Sequence, residues 1–275
     1  MKNIMIKSMK GDGKLSRKLL TILVVAAMPL SGGAVAAGST GPNNVYVEQI
    51  GSTNTLTIEQ VGGSNNVGGT KGTSSVDANG ITTLTPDAAS SLNYGTINGS
   101  NNILNLKQLG SDNSGQYNIK GSYNTYNSAV TGDGNQTNLV MGNTTINTTN
   151  SVVNETIQGN QNIVIQQVVG DKISSTTSIT GNSNQVTNNF LSTNGTSTNT
   201  IVGNFNVMNS QQTDSAGAVG HQLVMNTTGD YNSITTQQQG SNDTTVNIAT
   251  TGNHNTITVR SSSSPIVTPM TAVAR

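Results

Sequence analysis

The chain has 275 residues, of which 32% are hydrophobic, 3% aromatic and 9% charged, with no Cys, no Trp and a formal net charge of zero. So little apolar surface excludes a conventional globule of this size, and so few charges exclude the charge-rich class of disordered chains. Asn, Thr, Ser, Gly and Gln dominate, the composition of polar sequences that stack as β-structure.

Residues 1–37 read as a cleaved export signal. Lys2, Lys7, Lys10, Lys14, Arg17 and Lys18 form a positive leader, LLTILVVAAMPL supplies the apolar stretch, and Ala34-Val35-Ala36 offers a small-residue cleavage site. Twelve apolar residues are too few to span a bilayer, so no membrane span is expected in the mature chain. Residues 38–275 keep six basic and eleven acidic residues, a formal charge of −5. That surface has no basic patch and argues against nucleic acid as a partner. Without Cys, an exported chain needs another stabilising device.

A short segment, 38–42, leads into repeats that the sequence places over 43–260. Gly recurs mostly every eleven residues, at 110, 121 and 132, at 159, 170 and 181, and at 229 and 240. Around these glycines runs a template, Gly-x-x-Asn-x-Φ-x-Φ-x-Gln, with Φ apolar. Copies are GSTNTLTIEQ (51–60), GSNNILNLKQ (99–108), GNQNIVIQQ (159–167), GDYNSITTQQ (229–238) and GNHNTITV (252–259). Gly and Asn provide the positive φ that tight turns need, and the alternating Thr, Val and Ile that follow favour strands. No stretch after the leader carries a sustained helical apolar period. Two such units make a coil of 22 residues, which predicts an all-β fold, a β-solenoid of stacked coils with a thin apolar core.

Residues 67–98 lack the repeat, contain Pro86 and are expected to leave the stack as a loop. Over 185–228 the Gly spacing is lost, which predicts poorer coils there. The tail 261–275, with Pro265 and Pro269, is expected to be flexible.

Between Asn54 and Gln60, Asn54, Leu56, Ile58 and Gln60 share one face of a strand while Thr55, Thr57 and Glu59 share the other. Amides thus stand on the core face. A lone buried amide costs about 1–3 kcal/mol per unsatisfied group, but identical amides one coil apart satisfy each other. Such ladders leave only their two ends unsatisfied, and therefore favour further stacking. The candidate self-assembly residues are Gln49, Asn54, Gln60, Asn65, Asn102, Gln108, Asn113, Asn162, Asn232 and Gln238, with turn glycines Gly51, Gly62, Gly110 and Gly240.

The spacing Gln-x-Gly-x-x-Asn-x5-Gln, carried in full by Gln49, Gly51, Asn54 and Gln60 and in half by Gln60, Gly62, Asn65 and by Gln108, Gly110, Asn113, resembles the curlin repeat of curli amyloid subunits. Gln238, Gly240 and Asp243 follow it with Asp in place of Asn. The resemblance implies a secreted subunit that polymerises with copies of itself into an extracellular amyloid fibre for adhesion and biofilm matrix. It further implies an outer-membrane secretion channel and a nucleator subunit as partners.

Other chemistry finds little footing. His221 and His254 have no companion ligands, Asp112, Asp133, Asp171 and Asp230 sit at turns, and no triad emerges, so no catalytic, metal or cofactor site is expected. Two alternatives share the fold: a monomeric stalk or adhesin, and an ice-binding solenoid displaying Thr55-x-Thr57 and Thr256-x-Thr258.

Overall fold

The computed structural model describes residues 3–8, 21–27, 41–68, 72–76, 82–86, 95–142, 147–168, 173–190, 195–213, 222–239 and 245–262, the strands at 3–8, 21–27, 72–76 and 82–86 by backbone alone. The described residues form a β-solenoid without helix. Each turn gives one strand to a 12-stranded sheet and one to a 9-stranded sheet, all paired in parallel; the exception is a two-stranded antiparallel hairpin.

Alternation governs which residues face inward. In Thr55–Val61, Leu56, Ile58 and Gln60 are buried while Thr55 is exposed. In register beneath them lie Leu104, Leu106 and Gln108 of Ile103–Leu109. Two elongated apolar clusters fill the interior, one from Val45 to Ile173 and the other from Val130 to Ile248. Because each coil is one strand thick, no buried side chain lies far from a sheet, and the core is a column of stacked rows.

Three boundaries differ from the sequence reading. The insertion is shorter than 67–98: Asn66–Val67 and Gly95–Asn98 both belong to one rung between Asn44–Ile50 and Ser114–Ser122. Val67 and Ile97 are fully buried there. The insertion therefore leaves mid-rung and returns to the same rung, and it holds the hairpin Gly72–Val76 with Thr82–Pro86. Second, 185–228 builds regular coils. Gln185–Phe190, Thr196–Val202, Val207–Thr213 and Gln222–Thr228 keep register with their neighbours, because Asn184 and Asn206 hold the turns where Gly spacing looks irregular. Third, the last strand, Thr256–Ser262, runs two residues into the assigned tail; 263–275 lie outside the described residues.

At the other end the backbone of Asn3–Ser8 lies on Asn44–Ile50, and that of Thr21–Ala27 on Thr55–Val61. In the full chain these two segments cover the first coil.

Candidate self-assembly site

Each turn from the second sheet to the first is built the same way. A glycine with φ between 110° and 133° opens it, and a residue in the left-handed region stands two positions later, as Ser64, Asp112, Gln161 and Ser183 do. The asparagine follows. Glycine is needed for a second reason besides φ: a Cβ at Gly62 would lie 1.9 Å from the carbonyl oxygen of Gly110, one rung on. Backbones at this corner stack too closely for any side chain.

That closeness lets the asparagine serve three bonds. Asn113 Nδ2 donates to Asn65 Oδ1 at 3.1 Å and to the Gly132 carbonyl at 2.7 Å, while its backbone N–H donates to the same Asn65 oxygen at 3.0 Å. The backbone bond to the preceding asparagine oxygen repeats through Asn43, Asn65, Asn113, Asn135, Asn162, Asn184, Asn206, Asn232 and Asn255. Every acceptor oxygen faces the following rung, so the ladder has a direction. Five of its members (Asn43, Asn135, Asn184, Asn206 and Asn255) were not among the residues singled out from sequence. The turn carbonyl was missed as well, although Gly three residues before Asn is its signature.

The second ladder is short. Asn54, Asn102 and Asn124 follow the same rules, and then Ser151 donates its backbone N–H to Asn124 Oδ1. Its hydroxyl is buried without a partner, so the column changes character there.

Glutamines pair rather than run. Gln60 Nε2 donates to Gln108 Oε1 at 2.9 Å. The next positions in that column are Val130, Ile157, Ile179 and Ile201, so aliphatic packing replaces the amides. Gln212 Nε2 donates to Gln238 Oε1 at 2.7 Å, a pair in which Gln212 was not foreseen. Gln49 departs from the ladder reading: it is buried, but Ile97 lies next to it in register and its Oε1 has no partner. Gly51 has φ 122° and meets Gly99 as Gly62 meets Gly110. Gly240, Asp243 and His221 lie outside the described residues.

A buried acid in mid-column carries no signal in the sequence beyond its place on the inner face. Glu155 Oε1 accepts from Tyr126 Oη at 2.5 Å and Ser128 Oγ at 2.6 Å, and Oε2 accepts from Gln166 Nε2 at 3.1 Å. Ser175 Oγ in turn holds Gln166 Oε1 at 2.8 Å. Burial pushes the Glu155 carboxyl above the usual range, against the pull of these donors. The same burial, with the neighbouring carboxylate, raises Tyr126.

The outer face carries an ion pair between Glu59 and Lys107 on adjacent rungs, at 3.3 Å. At one corner Phe205, Tyr231 and His254 stack with ring centroids 4.9 and 5.1 Å apart. The threonine pair of Thr55 and Thr57 is followed in register by Ile103 and Asn105, then Thr125 and Asn127, then Val152 and Asn154. An ice-ordering surface needs unbroken threonine columns, and these are broken by Ile103 and Val152. Among the described residues no group of three or more His, Asp or Glu side chains converges as a metal site would. No known family, characterised protein or solved structure matches the chain.

Proposed function

We propose that this chain is a secreted structural subunit that polymerises end to end into a curli-like extracellular fibre serving adhesion and biofilm matrix. The observation that carries the reading is the directional asparagine ladder. It threads the whole column, and at Asn255 its acceptor oxygen meets no further rung among the described residues. The edge strand Thr256–Ser262 presents backbone groups in the same state, and an exposed edge recruits a matching strand. The match of Gln49, Gly51, Asn54 and Gln60 to the curlin spacing supports the same reading. On it, the nucleator and the outer-membrane channel implied by the resemblance are the expected partners, and the column binds no nucleic acid.

A second reading, a monomeric stalk or adhesin, is favoured by one observation: Asn3–Ser8 and Thr21–Ala27 cover the first coil in the full chain. A column closed at one end spaces a binding tip from a surface without polymerising. The full reading frame, expressed in an exporting Gram-negative host, separates the two. The fibre reading expects the exported product to lack the leader by mass spectrometry, to bind thioflavin and to form fibres by electron microscopy without denaturant. An exported product that stays monomeric refutes it in favour of the stalk.

A further inference from the structure

We infer that the C-terminal end of the column docks the N-terminal rung of a second copy of this chain, with one polarity and in one register. The inference rests on the fibre reading and adds to it which residues meet. Within the chain, every asparagine donates to the one before it, so the oxygen of Asn255 calls for a donor from a rung that begins with Asn. Asn43 opens the first rung and is the one member of the long ladder with no asparagine ahead of it among the described residues. Two C-terminal ends brought together would instead face acceptor to acceptor.

Placing Asn43 of the second copy over Asn255 fixes the rest. Thr256 comes beside Asn44, Ile257 beside Val45, Thr258 beside Tyr46, Val259 beside Val47, Arg260 beside Glu48 and Ser261 beside Gln49, one residue for one as in the rungs within the chain. The chemistry agrees at each place. Ile257 and Val259 are only partly buried, and Val45 and Val47 continue their apolar rows. Arg260 and Glu48 take up opposite charges one rung apart, the arrangement that brings Glu59 and Lys107 to 3.3 Å. The Ser261 hydroxyl comes to the Gln49 oxygen that is buried without a partner. The outer face of the Phe205, Tyr231 and His254 stack receives Pro42, because the bond from Ser64 N–H to the Gly41 carbonyl places Pro42 at that turn position.

Geometry adds two conditions. Asn3–Ser8 lies on the receiving rung in the full chain, so docking follows removal of the leader. The second sheet ends one rung earlier, at Thr245–Thr251, so the junction leaves room for one strand there.

The chain has no cysteine, so two single variants mark the two ends: Tyr46→Cys and Thr258→Cys, both on the outer face. Adjacent rungs place these positions about 4.8 Å apart, within reach of a short bis-maleimide. Both are exported from the full reading frame and allowed to assemble, mixed or alone. The expected result is a cross-linked dimer from the mixture, with at least ten-fold less from either variant alone. Reversing one charge, Glu48→Arg or Arg260→Glu, should slow fibre growth by roughly two- to five-fold, and the two together should restore it. Fibres that form without the mixed dimer, or a dimer from Thr258→Cys alone, overturn this junction and leave the fibre reading standing. Absence of any assembly by light scattering overturns both.

Discussion

Gly132 and Gly134 occupy one turn, both with positive φ, at 116° and 67°, and they separate two costs that are usually confounded. A Cβ at Gly132 would sit 2.0 Å from the Gly159 carbonyl oxygen, where ordinary contact begins near 3.4 Å. To admit it the two rungs must part by over an ångström. That takes the bonds from Gly159 N–H to the Thr131 carbonyl (2.9 Å), Asp133 N–H to Asn160 Oδ1 (2.7 Å) and Asn135 Nδ2 to the Gly159 carbonyl (2.7 Å) out of good geometry. Each weakened bond costs about 1 kcal/mol, and the backbone strain costs about 1–3 kcal/mol. Gly132→Ala should therefore destabilise by roughly 4–6 kcal/mol. A Cβ at Gly134 meets only Gln161 Cγ, at 3.6 Å, and other rungs place Ser183 or Gln161 at that position in the same left-handed region, at 55° and 56°. Gly134→Ala should cost only about 1–2 kcal/mol. Urea unfolding followed by circular dichroism measures both. If the two variants fall within about 1 kcal/mol of each other, the contact between successive turns is not what demands glycine, and the account of the corner fails.

Three further outcomes follow from the interior. Glu155 has its carboxyl raised in the folded state by burial, so the folded chain holds a proton that the unfolded chain releases. Stability from this group is fully present below the ordinary carboxylate pKa and is lost as pH rises through it toward the raised value. Urea midpoints should fall from pH 4 to pH 8, and Glu155→Gln should flatten that slope; an unchanged slope would clear Glu155 of the effect. Asn113→Ala strands the Asn135 N–H and the Gly132 carbonyl in the interior at about 1–3 kcal/mol each, whereas Asn255→Ala removes one side-chain bond and should cost about 1 kcal/mol in thermal unfolding; equal losses would contradict the ladder. Tyr123 is exposed, with φ 61°, a conformation that disfavours bulky residues. Tyr123→Asn should raise stability by up to about 1 kcal/mol, and a loss in differential scanning calorimetry would mean that the ring is held by contacts.

The solenoid was legible because its two periods are written in different residues. Gly-x-x-Asn marks the turn every 22 residues or so, and the alternation of Leu56, Ile58 and Gln60 marks the strand. What escaped the sequence was what depends on the neighbouring coil. Gln49 and Gln60 look equivalent in the repeat, yet one stands beside Ile97 and the other beside Gln108. Register, which a single repeat does not encode, decides which amide finds a partner. Asn184 and Asn206 escaped because their turns sit in a stretch with irregular Gly spacing, although the asparagines themselves keep step. Glu155 looked like any acid on a polar strand; its burial follows from Tyr126 and Gln166 reaching it from other strands.

Successive asparagines of the long ladder are separated by 22, 48, 22, 27, 22, 22, 26 and 23 residues, yet their bonds stay between 2.9 and 3.0 Å. Extra length is absorbed elsewhere in the coil and never where glycine and asparagine meet. One seam is thus fixed while the rest of the circumference accepts additions of a few residues or of a whole hairpin. Foreign peptides grafted after Met141, Val168 or Thr213, which stand one and then two rungs apart, would leave the spine beneath them unaltered.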